Sequence, residues 1–216
     1  MINIFNPLKR LGQSDKLMLD TVHKFARNEL PKFLGKNEHR NLYKEFGKMG
    51  ILGCNIQSDN SLSLSNTMYG LICKEIEYID SGFRSLVGVQ SSLVMKTLHD
   101  YANNEVKNEY LHSLQSGDLI GCFGLTESDS GSDVSSMKTT ATINNGDFLL
   151  NGTKTWITNA PIADIFIIWA KLNNRVNGFV IEKNMKGLQT SEIVNKLSMT
   201  ETKTGVVYLD NVRVPK

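Results

Sequence analysis

The sequence predicts an α+β fold of two domains, an N-terminal all-α helical domain over residues 1–117 and a β-barrel-like domain over residues 118–216. Apolar residues recur at helical spacing in the first range and at a period of two in the second. Short apolar runs in the second range are separated by Asn-Gly and Asn-Asn turns, which is typical of a small barrel or sandwich. With 216 residues, 40% hydrophobic and 21% charged, the chain can bury an ordinary core.

Capping residues and helix breakers divide the start of the helical half. Ser14 can cap a first helix, which Pro31 ends. A second helix is predicted over residues 38–49, where Gly50 ends it. A third helix is predicted from Ser65, because the apolar residues after it fall on one face.

The rest of the helical half continues to the predicted domain boundary. An Asp-Ser-Gly sequence at 80–82 interrupts the pattern, and residues 83–98 then resume it as an apolar, Ser-rich segment. Asn103 can cap a last helix, and Gly117 can end it. The turn that begins at Gly117 therefore marks the predicted boundary.

Turn residues divide the second half into strands. A hairpin is predicted around the Asn-Gly pair at 145–146, and a second Asn-Gly turn is predicted at 151–152. The Asn pair at 173–174 predicts a further turn. The predicted strands lie at residues 140–143, 148–150, 153–159, 165–170, 178–181, 205–209 and 212–214.

Composition and charge exclude several classes of function. A formal net charge of +2 with scattered Lys and Arg gives no basis for nucleic-acid binding, and no apolar run reaches the length of a membrane span. Residues 1–7 resemble neither a secretory signal nor a transit peptide. Cys54, Cys73 and Cys122 are predicted to be reduced thiols of a cytoplasmic protein, and the four histidines lack the spacing of metal ligands.

Two segments carry the candidate site. Residues 120–136 run from a short apolar strand into a loop of hydroxyls, glycines and acids, and a later strand carries one Trp between two threonines. Thr126 and Thr158 can bond the polar edge of a flat ring that lies beside Trp156. The loop around Ser132 offers backbone donors to a pyrophosphate. A solvated surface loop and a core aromatic are the alternative interpretation.

These segments resemble the acyl-CoA dehydrogenase family, and most closely its glutaryl-CoA dehydrogenases. The family has a pair of flavin motifs, and both have counterparts here. Residues 120–136 are similar to the first, with Leu-Thr-Glu and Ser-Gly-Ser-Asp. Residues 151–159 are similar to the second, Asn-Gly-x-Lys-x-Trp-Ile-Thr-Asn. Residues 205–215 resemble its Asp-x-Val-x-Val-Pro exit from the middle domain. The similarity to the glutaryl enzymes lies in residues 80–85 and 89–95.

The resemblance implies FAD as the cofactor and an acyl-CoA thioester as the substrate. Trp156 would lie beside the flavin ring, and Thr158 would bond near its N5 atom. An Arg at the position of Arg84 binds the distal carboxylate in the glutaryl enzymes, although a surface cation at a helix end is the simpler interpretation. The implied cofactor-binding residues are Phe123, Leu125, Thr126, Ser132, Trp156 and Thr158, and the implied substrate-binding residues are Glu77, Arg84, Ser85 and Ser132.

The implied reaction is the α,β-dehydrogenation of an acyl-CoA, with glutaryl-CoA oxidised and decarboxylated to crotonyl-CoA in lysine and tryptophan catabolism. A carboxylate takes the α-proton, and the β-hydrogen leaves as hydride. Family members form homo-oligomers, here expected to be a tetramer, and pass electrons to an electron-transfer flavoprotein. Their base is a Glu of a C-terminal helical domain, so we expect no catalytic residue in this chain and assign no such role to Glu127.

The resemblance further implies that this C-terminal domain is absent, since the sequence stops at Lys216. We therefore expect a fragment, a truncated reading frame or half of a split enzyme, inactive on its own. A short-chain dehydrogenase for monocarboxylic substrates and a non-catalytic flavin- or acyl-CoA-binding remnant are the alternatives. Ser128 and Thr200 stand where most of the family has Pro and Arg. Gly88 stands where the glutaryl enzymes have Ser near the substrate carboxylate, a departure that speaks against the glutaryl assignment.

Overall fold

The computed structural model describes residue 8, residues 11–57 and residues 61–216. The prediction about a signal or transit peptide at residues 1–7 lies outside the described residues. A helical layer packs against a curled sheet, which confirms the predicted fold class. The α-helices of the described residues are α1 (Gln13–Asn28), α2 (His39–Lys48), α3 (Asn66–Glu77), α4 (Ser81–Gly88), α5 (Lys96–Tyr101) and α6 (Asn104–Ser116).

Side-chain caps fix the starts of three helices. Ser65, Asp80 and Asn103 each accept a hydrogen bond from the backbone N–H three residues on, at 3.1, 3.1 and 2.9 Å. These caps confirm the predicted starts of α3 and α6. The first helix differs from its prediction, because Gly12 rather than Ser14 occupies the position before its first turn.

A π-helix over Val89–Met95 joins α4 to α5 within the segment for which the sequence predicts one apolar run. Gln90 lies fully buried in it. Its amide group donates to the carbonyl oxygens of Leu114 and Leu119 at 2.9 and 2.8 Å, and it accepts from the N–H of Gly121 at 2.9 Å. One side chain therefore ties the end of the helical layer to the first strand of the sheet.

The second half forms one curled sheet. Its strands within the described residues are β1 (Gly121–Gly124), β2 (Thr140–Asn144), β3 (Asp147–Thr158), β4 (Ile165–Leu172), β5 (Arg175–Glu182), β6 (Leu188–Glu192) and β7 (Thr204–Val214). They lie in the order β1-β4-β2-β3-β7-β6, and β5 pairs with β4. The β1–β4 pair is parallel, whereas β2–β3, β4–β5 and β6–β7 are antiparallel. The β2–β3 hairpin turns at Asn145 and Gly146, both with positive φ, as the Asn-Gly pair predicts.

Two predictions for the strands are wrong. Residues 151–152 form no turn, because β3 continues through them as a bulged strand with Gly152 at a φ of +152°. A Cβ atom on Gly152 would lie 2.4 Å from the Oγ1 of Thr139, so the close approach of two backbones requires glycine there. The predicted strands at 205–209 and 212–214 are one strand, β7, and β6 has no counterpart among the predicted strands.

Alternate residues of β4 face two hydrophobic cores. Ile165 and Ile167 pack with the helices, whereas Phe166 and Ile168 pack into the core that the curled sheet encloses. A strand buried on both faces has a continuous apolar run, which is what residues 165–170 show. The helical layer therefore uses one face of the sheet to complete its own core.

Side-chain hydrogen bonds also join the helices to the sheet and to the loops that flank it. The Asn159 amide donates to the hydroxyl of Tyr43 at 2.7 Å and to the carbonyl oxygen of Gly121 at 2.9 Å. Arg40 donates to both carboxylate oxygens of Asp164, at 3.0 and 2.7 Å. The two halves are thus joined by directional bonds as well as by apolar packing.

Candidate cofactor and substrate site

A pocket of about 330 Å³ lies beside the ends of β1 and β3. Five of the six residues predicted to bind a cofactor line it, and the π-helix completes its wall. No lining side chain is charged, and two threonines offer hydroxyl groups. Such a wall suits a flat, uncharged ring with polar edges. The lining residues are Val89, Leu93, Phe123, Leu125, Thr126, Trp156, Ile157 and Thr158.

Trp156 adopts a backbone conformation that is uncommon for a bulky residue. Its φ is +60°, in the left-handed region, and it lies where the register between β3 and β7 shifts. The side chain is 63% exposed, so hydrophobic burial does not compensate for this strain. Strain of this kind is concentrated at functional sites, where the surrounding structure enforces it. The bulge therefore presents the indole to the pocket rather than to a core.

Two hydrogen bonds hold the loop after β1 against β3. The N–H of Thr155 donates to the carbonyl oxygen of Thr126 at 2.9 Å, and the Nζ of Lys154 donates to that of Leu125 at 3.0 Å. Leu125 and Thr126 line one wall of the pocket, and Trp156 lines another. These bonds therefore fix the two walls relative to each other.

Glu127 is a buried structural anion. Its carboxylate accepts from the Nζ of Lys154 at 2.8 Å, from the Oγ1 of Thr139 at 2.5 Å, and from the backbone N–H groups of Lys138 and Thr139. Burial alone would raise the pKa of Glu127, but these hydrogen bonds outweigh it and lower the pKa to about 2. A carboxylate whose pKa is this low is a poor proton acceptor near neutral pH. The contacts of Glu127 tie the loop after β1 to β3 and to the segment that leads into β2.

Ser132 lies away from the pocket wall. It is exposed in a loop where the Oγ of Ser130 donates to the carbonyl oxygen of Asp133 at 2.8 Å. A pair of backbone bonds between Glu127 and Ser130 closes the start of the same loop. The phosphate or thioester contact of Ser132 stays a prediction.

Two of the four residues predicted to bind substrate, Arg84 of α4 and Glu77 at the end of α3, form an ion pair. The Nε of Arg84 donates to Glu77 at 2.8 Å, and the Oγ of Ser81 donates to the other carboxylate oxygen at 2.5 Å. The hydrogen bond from Ser81, and then that from Arg84, lower the pKa of Glu77. The side chains of Arg84 and Glu77 are 40% and 44% exposed, so a ligand can reach both. Ser85 lies one helical turn before Val89 of the pocket.

Val89 and Leu93 are pocket residues that the sequence did not assign to the site. Both belong to the segment that resembles the glutaryl enzymes, yet only the three-dimensional structure places them beside β1 and β3. The π-helix that carries them has no signal in the spacing of apolar residues. A rule based on a period of 3.6 therefore could not have placed their side chains.

The described residues offer little other chemistry. They contain no group of three or more His, Cys, Asp or Glu that could hold a metal ion. All three cysteines are free, and burial raises the pKa of the Cys54 thiol to about 12, which makes it a poor nucleophile. Over the same part of the chain, every helix is too short or too polar to cross a bilayer.

Comparison with known proteins identifies the class to which this fold and pocket belong. The N-terminal domain of acyl-CoA dehydrogenases matches residues 12–118, and their middle domain matches residues 122–212. The chain therefore belongs to the acyl-CoA dehydrogenase family. This confirms the family that the flavin motifs of the sequence indicated.

The relatives of this chain are named for different acyl-CoA substrates. Glutaryl-CoA dehydrogenase from Mycobacterium smegmatis, solved in complex with FADH2, is 41% identical, with a TM-score of 0.92 over 98% of this chain and 56% of that chain. Mitochondrial isovaleryl-CoA dehydrogenase from Pongo abelii is 31% identical over 100% of this chain and 54% of its own length. An acyl-CoA dehydrogenase from Bacillus subtilis is 32% identical over 94% and 57%. The chain thus spans about half the length of the curated relatives it matches.

Proposed function

We propose that this chain supplies the flavin pocket and the acyl-group subsite of an FAD-dependent acyl-CoA dehydrogenase that acts on glutaryl-CoA and yields crotonyl-CoA. One observation carries the proposal. The pocket walls built by β1 and β3 are completed by the π-helix that follows α4, and α4 carries the partly exposed guanidinium of Arg84. The M. smegmatis relative is a glutaryl-CoA dehydrogenase that binds FADH2.

The donor set of the pocket fits FAD. Trp156 offers an aromatic wall, and the hydroxyls of Thr126 and Thr158 can bond the polar edge of a flavin ring. Phe123 and Leu125 would cover the ring and exclude water. The loop around Ser132 would lie toward the phosphates. When bound, FAD would supply the acceptor for the hydride that leaves the β-carbon of the substrate.

Arg84 would bind the distal carboxylate of the acyl group. A guanidinium offers a planar fork of N–H donors that matches a carboxylate, and Glu77 would orient that fork through its bond to Nε. Ser85, in the same helix, would assist Arg84. The base that removes the α-proton would come from outside this chain, because Glu127 is committed to its ion pair.

The proposal extends to the whole protein that contains this chain. We propose that it assembles as a homotetramer in the cytoplasm and passes electrons to an electron-transfer flavoprotein. Within this chain, we place the division between the two domains at the turn after α6, where Gly117 has a left-handed φ of +77°.

A dehydrogenase for short monocarboxylic acyl groups is the second candidate. The isovaleryl-CoA dehydrogenase of Pongo abelii, whose named acyl group is monocarboxylic, is 31% identical to this chain. Arg84 is also already paired with Glu77, as a purely structural cation would be. A non-catalytic flavin- or acyl-CoA-binding role is a third candidate, and measured turnover by the whole protein would exclude it.

Arg84→Ala separates the first two candidates. In the FAD-loaded protein that contains this chain, we expect the affinity for glutaryl-CoA to fall about 30-fold or more, because a charged hydrogen-bonded pair is lost. The affinity for butyryl-CoA should change by less than about threefold, since butyrate has no distal carboxylate. Calorimetric titration measures both, with the exposed Arg175→Ala as the matched control. An equal loss for both thioesters would contradict the glutaryl assignment.

Trp156→Gly tests the flavin wall. Glycine adopts a φ of +60° without strain, and the indole is largely exposed, so the free energy of unfolding without FAD should stay within about 1 kcal/mol. The affinity for FAD should fall at least about tenfold, since stacking on the ring is lost. Urea unfolding and quenching of flavin fluorescence measure the two effects. Trp156→Phe is the control that keeps an aromatic ring at this position. Unchanged FAD affinity in Trp156→Gly would contradict the proposal that the indole stacks on the flavin ring.

A further inference from the structure

We propose that Asn145 is a site of spontaneous covalent modification, at which the side-chain amide is lost as ammonia and an aspartate or isoaspartate is left. Asparagine is thermolabile in proteins, above all where glycine follows it, because glycine has no Cβ atom to hinder attack by its own nitrogen. The inference is independent of the proposed function. The chain has three such pairs, Asn145-Gly146, Asn151-Gly152 and Asn177-Gly178.

The reaction is a ring closure between a side chain and the main chain. The backbone nitrogen of the glycine, once deprotonated, attacks the side-chain carbonyl carbon of the asparagine, so that a C–N bond forms and ammonia leaves. Water then opens the cyclic imide at either of its carbonyl carbons. One opening gives aspartate, and the other gives isoaspartate, in which the main chain runs through the side-chain carbon. Overall, one water is consumed for each ammonia released, and no oxidant or reductant is needed.

Asn145 and Gly146 form the tip of the β2–β3 hairpin, where little restrains them. The ladder between the two strands ends at the pair of Asn144 with Asp147, so the tip holds no register position. Both tip residues are exposed, and a Cβ atom on Gly146 would meet nothing within 4 Å. Of the described residues, none exchanges a hydrogen bond with the side-chain amide of Asn145. The tip can therefore reach the geometry of ring closure by a small local opening.

The second pair is held in the interior of the sheet. In β3, Asn151 lies opposite Thr140 of β2, and Gly152 lies opposite Leu209 of β7. The side chain of Asn151 donates to the Oδ1 of Asn211 at 3.2 Å and accepts from the N–H of Asn211 at 2.8 Å. Ring closure at Asn151 therefore requires β3 to separate from its neighbours on both sides, which costs far more than opening a hairpin tip.

The third pair lies within the ladder between β4 and β5. Asn177 lies opposite Ala170, and Gly178 lies opposite Trp169. The amide of Asn177 donates to the carbonyl oxygen of Arg175 at 2.8 Å. A Cβ atom on Gly178 would lie 3.5 Å from the indole of Trp169, so this ring covers the glycine. The same dipeptide thus stands in three structural settings, and the setting of Asn145 restrains it least.

The modification would act on the hairpin. A new carboxylate at position 145 would lie two residues from Asp147, which already pairs with Arg213. Isoaspartate would also lengthen the main chain of the turn, which opposes the register in which Ile143 faces Phe148. Trp156 lies near the other end of β3, so the walls of the pocket are remote from the change.

The test incubates the folded protein that contains this chain in mildly alkaline buffer, cleaves it after Lys and Arg, and follows the peptides by mass spectrometry. Exchange of the amide NH2 for OH changes the mass, and fragmentation separates Asn145 from Asn151, which share one peptide. Asn145 should react at least about tenfold faster than Asn151 and Asn177. Incubation in concentrated urea is the matched control, because the three pairs should react at similar rates once the strands have separated.

Each outcome decides the question. A rate at Asn151 or Asn177 that equals or exceeds the rate at Asn145 in the folded protein would overturn the proposal. An unreactive Asn145 in the folded protein, under conditions that modify it in urea, would do the same. Asn145→Gly keeps a residue suited to the left-handed turn and should abolish the fast modification. Fast modification of the same peptide in this variant would place the reaction at another asparagine and contradict the assignment.

Discussion

Lys154→Ala should lower the free energy of unfolding by about 3–5 kcal/mol, because it leaves the buried carboxylate of Glu127 without its counter-charge. Lys154 has no exposed side-chain area, and Glu127 has 6%. Burial lowers the pKa of Lys154, and the ion pair with Glu127 opposes that shift. Urea unfolding of the flavin-free protein measures the loss. The pocket should weaken as well, since Lys154 also bonds the carbonyl oxygen of Leu125.

Lys138→Ala is the matched control for this variant. Lys138 pairs with Asp129 at 2.6 Å in the same loop, but the two side chains are 74% and 64% exposed. An exposed pair of this kind stabilises by less than about 1 kcal/mol. A similar loss in both variants would show that burial does not decide the contribution of Lys154.

The same ion pair sets a pH dependence. The pKa of Glu127 is depressed to about 2 from an ordinary value of 4.5, so its contribution to stability is fully present above pH 4.5. That contribution, about 3 kcal/mol by linkage, is lost as the pH falls from about 4.5 to about 2. Lys154→Ala removes part of the depression. The difference in free energy of unfolding between the unmodified protein and Lys154→Ala should therefore shrink as the pH falls from about 4.5 to about 2.

Gln90→Leu should lower the free energy of unfolding by about 3 kcal/mol, because three backbone groups lose their hydrogen-bond partner at once. Leucine keeps most of the volume, so the loss reports the bonds and not a cavity. Gln90 also lies beside Val89 of the pocket and holds the first residue of β1. We therefore expect FAD to bind more weakly in this variant, by titration of flavin fluorescence.

Gln57→Leu is the control, since Gln57 is exposed and its side chain makes one long hydrogen bond, 3.4 Å, to the carbonyl oxygen of Ser63. It should change the free energy of unfolding by less than about 0.5 kcal/mol. If Gln90→Leu lowered the free energy of unfolding no more than this control does, the hydrogen bonds of Gln90 would contribute nothing to the stability of the contact between the helices and β1.

Local chemistry explains which parts of the fold the sequence predicts. The caps at Ser65 and Asn103 and the hairpin turn at Asn145 are chosen by bonds within a few residues, so short motifs reveal them. The turn predicted at 151–152 is wrong because Gly152 serves a long-range contact, the approach of Thr139 from another segment. The strand β6 has four exposed residues of five, and it therefore lacks the alternation that marks a half-buried strand.

The residues of the pocket also differ in whether the sequence alone could place them. The sequence places Phe123, Thr126 and Trp156 together because each belongs to a motif that is contiguous in the chain, and all three line the pocket. The left-handed backbone conformation of Trp156 could not be predicted from the sequence, since it arises from the register shift between β3 and β7. Val89 and Leu93 are missed because a π-helix changes which residues share a face.

The packing of β4 has a consequence for biosynthesis. The helical core includes Ile120, Ile165 and Ile167, which a ribosome releases only after all of α1 to α6. Until then, the nascent helices expose an apolar surface that residues of β1, β4 and β5 cover in the folded chain, and such surfaces bind chaperones or aggregate. A polypeptide cut at the turn after α6 would keep that surface permanently. We therefore expect a piece that keeps the helical core covered to extend through β4 and β5, well beyond the last helix.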